Sequence, residues 1–155
     1  MQQMNNEQSI PPNESDWGDP ELYSFPPDRY YSMDLFLGKS IMDIMPLLET
    51  NFTMRCIDDL AYFPEPVFSY YVRGFFLHLA DRVPDDEDLG VQLGVFLSVM
   101  EDRRIESPDL WKSAWRNWPK LVDTFIERVG RGRVNSETAE ALMGQLREVR
   151  TLLQS

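Results

Sequence analysis

One histidine and one cysteine are all the chain offers of the residues that most often bind transition metals or form nucleophile–base pairs. A lone His78 excludes any multi-histidine metal centre and most zinc-hydrolase chemistry. A lone Cys56 cannot close an internal disulfide, so folding does not depend on an oxidising compartment. No apolar run approaches the roughly 18–20 residues that cross a bilayer, which excludes a membrane-spanning helix. Cations are scarce as well: 15 Lys and Arg stand against 26 Asp and Glu, a formal net charge of −11. General nucleic-acid binding draws on cations that neutralise phosphates and is therefore not expected. Glycine-rich phosphate loops, G-x-S-x-G elbows, H-E-x-x-H and C-x-x-C motifs are all missing. The expectation is a protein with no metal and no cofactor.

What is present is a chain of 155 residues, 43% of them apolar, enough for one globular domain that buries about two-thirds of its unfolded surface. The first residues, Met1 to Gln8, carry neither the basic nor the apolar region of an export signal, so the expected location is the cytoplasm. Charge is uneven. Residues 1–102 hold 19 acidic and 5 basic side chains, whereas 103–155 hold 7 acidic and 10 basic. Such asymmetry marks either an interaction surface or an acidic part docking on a basic one.

Residues 1–31 read as a separate region, a polar start followed by an extended arm rich in proline and aromatic residues. Five of the eleven prolines lie there, among them Pro11, Pro20 and Pro26, interleaved with Trp17, Tyr23, Phe25, Tyr30 and Tyr31. Proline fixes φ and removes donors, which disfavours helix and central strand.

Residues 32–155 read as an all-α domain, a single irregular or orthogonal bundle of five or six helices. A short helix begins near Ser40 or Asp43, with Asp43 favoured as cap because Pro46 is best tolerated in a first turn. A second runs over 52–62. Phe63-Pro64-Glu65-Pro66 breaks the chain and opens a helix over 65–82, apolar on both sides (Phe68, Tyr71, Phe75 and Phe76 against Tyr70 and Leu77) and so expected at the centre. The next helix spans 86–102, where Gly90 and Gly94 are expected to let it sit closely on the 65–82 helix. Ser107-Pro108 starts a tryptophan-bearing helix that Pro119 should kink or split near 117–118. Gly130-Arg131-Gly132 ends it, and Ser136 opens the last helix with the stripe Ala139, Leu142, Met143, Leu146, Val149 and Leu153.

Three functional readings follow. The first is a non-catalytic protein-interaction module, inhibitor-like or immunity-like, that binds a basic partner. Its contact residues would be the acids Asp85, Asp86, Glu87, Asp88, Glu101 and Asp102 with the aromatic surface of Trp111 and Trp115. The run at 85–88 resembles a calcium loop only superficially: counted from Asp85, the twelfth position is Phe96, where a bidentate Glu is required. The second reading is a small-ligand protein or enzyme with a pocket around Arg73, His78, Asp58 and Asp59, a guanidinium fork suiting carboxylate or phosphate. The third is a self-associating module, for instance a homodimer, joined through Trp111–Trp118.

Overall fold

The computed structural model describes residues 10–19 and 32–155. Tyr23, Phe25, Tyr30 and Tyr31 of the expected arm lie outside the described residues. Trp17 lies within them, at the end of a four-residue 3₁₀ turn, Glu14–Trp17, and is fully buried. Asn13 starts that turn with a reciprocal cap: its side chain accepts from the Asp16 amide (3.2 Å), and the Asp16 carboxylate accepts from the Asn13 amide (2.8 Å).

Seven longer helices follow among the described residues, with no strand, which makes the chain all-α. A short helix over 32–36 precedes them and ends at Gly38, whose φ of +74° suits glycine. Helix α1 (Ile41–Asn51) is capped by Ser40 and not by Asp43. Asp43 takes the third helical position, where its carboxylate accepts from the Ser40 amide at 2.9 Å. Pro46 therefore falls beyond the first turn. Both Pro46 and Met42, whose carbonyl loses its helical donor, are on the exposed face, where such a loss costs less than in the core.

The 52–62 segment is helical with a change of winding: a wide π turn, Phe52–Cys56, leads into α2 (Ile57–Tyr62). Phe63 leaves the helical region at ψ 136°, and α3 (Glu65–Leu77) begins directly after Pro64. A second wide turn, His78–Arg82, prolongs α3 and closes with the Val83 amide donating to the His78 carbonyl at 3.1 Å. As expected for a helix apolar all round, only Ser69 is exposed between Val67 and Leu79.

The chain divides into two compact units, Met1–Phe75 and Phe76–Ser155, the division falling inside α3. In the first, Phe63 gathers the rings of Trp17, Phe36 and Tyr71 at centroid distances of 5.4, 5.0 and 5.7 Å. The Tyr71 hydroxyl hydrogen-bonds the Phe36 and Lys39 carbonyls, and Ser32 donates to Asp59 at 2.5 Å, which ties the 32–36 helix to α2.

The second unit is built from α4 (Glu87–Glu106), α5 (Pro108–Arg116), α6 (Leu121–Gly130) and α7 (Ser136–Gln154). Pro119 splits the tryptophan helix outright, which raises the number of helices above the five or six expected. Ser107 starts α5 through its backbone, its carbonyl accepting from the Trp111 amide, while its side chain makes no cap bond. Helix α7 packs on α4, α5 and α6. Gly90 faces this side and not the 65–82 helix: a Cβ there would lie 3.1 Å from Val134 and 3.5 Å from Thr138. The aromatic core centres on Trp115, with Phe76 at 4.9 Å and Phe96 and Phe125 at 6.5 Å. The indole N–H groups of Trp115 and Trp118 are buried and meet no acceptor among the described residues.

Candidate functional site

Asp58, Asp59 and Arg73 belong to the first unit and His78 to the second. Asp58 is exposed, whereas Asp59 is buried between the Ser32 hydroxyl and the Arg55 guanidinium, 3.8 Å away. Arg73 is only 5% exposed. Its Nε donates to the Tyr70 carbonyl at 3.1 Å, and its guanidinium stacks 4.7 Å from the centre of the Tyr70 ring. Burial lowers its pKa, partly offset by the neighbouring Tyr70. His78 is buried and shares a 2.8 Å hydrogen bond between Nε2 and Oε1 of Gln92 on α4. Among the described residues no group of three or more His, Cys, Asp or Glu is arranged to hold a metal ion.

Cys56 sits in the wide turn after α1, fully buried, with Sγ donating to the Leu47 carbonyl at 3.7 Å. Burial, reinforced by the charge of Asp59, pushes its thiol up to about 12. The nucleophilic thiolate is then scarce at neutral pH. Modification of the native chain by a disulfide reagent is expected to run roughly a hundredfold or more slower than in denaturant. Equal rates in the two conditions would contradict the burial of Cys56.

The acidic and aromatic residues separate into three environments. Asp85 is engaged inside the second unit: it accepts from Arg128 Nε at 2.5 Å and from Arg131 Nη1 at 2.6 Å. Asp86 caps α4 by accepting from the Asp88 amide at 2.9 Å, leaving Glu87 and Asp88 exposed in the first turn, where the helix dipole favours them. Glu101 and Asp102 are exposed near the other end of α4, about 21 Å along the axis at 1.5 Å per residue. Trp115 is fully buried in the core.

Glu101 and Trp111 do come together. They line one groove of about 180 Å³ where α4, α5 and α7 meet. Trp111, 2% exposed, forms its floor with Leu97 and Met100. Val149 and Leu152 of α7 make the opposite wall, and Glu101, Gln145 and Glu148 are the polar members of the lining, all three exposed. Arg104 grips both oxygens of Glu101, at 2.9 and 2.5 Å, which holds the Glu101 carboxyl below the usual carboxylate range.

The α7 contribution was not foreseen, since Val149 reads naturally as core. Yet Gln145, Glu148, Val149 and Leu152 follow the i, i+3, i+4, i+7 spacing of a helix face. That face runs beside the buried stripe, in which only Leu142 and Leu146 are fully enclosed. A second depression, about 370 Å³, lies on the other flank of α7 against Pro119 and Val122, and the Asp123–Arg150 ion pair spans it.

The chain matches no family model, no curated protein and no solved structure. Among the described residues no helix is long and apolar enough to cross a membrane.

Proposed function

We propose that the chain is a non-catalytic interaction module of the cytoplasm whose partner is a basic protein, as an inhibitor or immunity-type protein would be. The observation that carries this reading is the groove that joins Glu101 and Trp111 to Glu148. Partly exposed Val149 and Leu152 beside the carboxylates of Glu101 and Glu148 give a partner apolar area to cover while charge selects it. A net charge of −11 adds long-range attraction for cationic surfaces. The bonds made by Asp85 and the burial of Trp115 concentrate the reading on the Glu101–Trp111–Glu148 end of the second unit.

The test is a photo-crosslinking side chain in place of Gln145 in the full chain, with capture from the native cytoplasm at moderate salt. A basic protein is expected, lost on Glu148→Arg and retained on Glu87→Arg, which reverses a charge at the far end of α4. Capture of an acidic protein, capture indifferent to Glu148→Arg, or no polypeptide at all overturns the reading.

A further inference from the structure

Resting on the interaction reading above, we propose that the groove between α4, α5 and α7 receives a single lysine side chain of the basic partner. The groove's size supports this first. About 180 Å³ corresponds to roughly six waters at ~30 Å³ each, which suits one side chain, a four-carbon stem with its head group among them, and excludes a helix. Its chemistry comes second. Leu97, Met100, Trp111, Val149 and Leu152 give the stem apolar walls, and the exposed Glu101, Glu148 and Gln145 supply oxygen acceptors beside them. Long cationic side chains bury their methylenes against such surfaces and leave the charge at the edge. An ammonium carries three rotatable donors, which suit acceptors on two helices because they impose no fixed fork geometry.

At Glu101, arginine fits less well because of Arg104. Both oxygens of Glu101 already hold the Arg104 fork, so a second planar guanidinium has no free bidentate face there. A point-charge ammonium needs only one remaining lone pair from each carboxylate. Arg104 also acts on Glu148 electrostatically, so its charge opposes any incoming cation. Removing that charge should therefore strengthen binding, an effect that a merely structural Arg104 would not produce.

The experiment titrates the full chain with n-butylammonium, the lysine side chain as a free molecule, and follows the Trp111 indole N–H by NMR. Saturable shifts are expected with a Kd of about 1–30 mM, the range open to so small a ligand. Glu148→Gln should weaken binding about two- to fivefold and Arg104→Gln should strengthen it by a similar factor, as for exposed ion pairs. Tighter binding of n-butylguanidinium, equal binding of 1-butanol, or the absence of a saturable Trp111 shift overturns the lysine assignment. Capture of a basic partner through position 145 with no butylammonium binding would leave the interaction reading standing and the lysine assignment refuted.

Discussion

Replacing Arg128 by alanine is expected to destabilise the second unit by about 3–5 kcal/mol, the cost of stripping one member from a buried charge network. Arg128 is 8% exposed and comes from α6. It donates Nε to Asp85, Nη1 to the carbonyls of Leu79 and Ala80, and Nη2 to the carbonyl of Val83. The end of a helix leaves carbonyls without donors, and here the wide turn His78–Arg82 presents them together with the residue that follows. One guanidinium answers three of them and a carboxylate at once. Arg128→Lys should recover little, because a single ammonium cannot reproduce the fork.

The measurement is the urea midpoint followed by tryptophan emission, which reports mainly this unit because Trp111, Trp115 and Trp118 lie in it. A lowered midpoint with unchanged slope is expected. A loss below about 1 kcal/mol, the level of a surface pair, would show that the network does not hold the turn. The pH dependence supplies a second readout. The Arg131 hydrogen bond, followed by that of Arg128, holds the Asp85 carboxyl below its usual value. A depressed folded pKa means that this stabilisation is complete above the unfolded value, near 4, and fades as pH falls through the folded one. Asp85→Asn should abolish that acid-side component and lower stability at neutral pH.

Phe63→Ala is expected to cost about 3–5 kcal/mol in the first unit, as for other buried phenylalanines whose removal leaves a cavity. Phe63 is 2% exposed and touches three rings that reach it from different parts of the chain. Trp17 is the most dependent of them, since it is carried by a four-residue turn. The variant should therefore release Trp17, seen as greater acrylamide quenching and a red shift confined to part of the emission. Phe63→Leu keeps most of the volume and should retain most of the stability. Unchanged quenching in Phe63→Ala would mean that Trp17 is held by other contacts.

What could be read in advance was local. The helical class, the break at Phe63–Pro66, the all-round apolar α3 and the division at Pro119 depend on periodicity and on proline chemistry within a few residues. What could not be read depends on pairs far apart in the chain. Arg128 near the end of a helix has a sufficient local explanation in the dipole, and nothing nearby signals that carbonyls 45 to 49 positions earlier need it. Asp85, equally, reads as one more solvated acid until α6 brings two arginines to it. At the groove, Glu101 and Trp111 stand out in the sequence as an acid and an aromatic, but nothing there signals that Gln145 and Glu148 join them, since α7 carries an apolar stripe that points only to a core. The choice of Ser40 over Asp43 as the cap shows a competition of another kind. A reciprocal cap and the burial of Ile41 and Ile44 outweighed the misplaced Pro46.

The two indoles without acceptors have an optical consequence. Excited indole lowers its energy chiefly when nearby dipoles or water reorient around it, and the Trp115 ring sits instead among Phe76, Phe96 and Phe125. Its emission should lie at the blue edge of the tryptophan range and its N–H should exchange slowly with deuterium. The second unit thus carries an internal reporter of its own integrity. A groove ligand that leaves the packing intact should move the Trp111 signal and leave that blue component where it was.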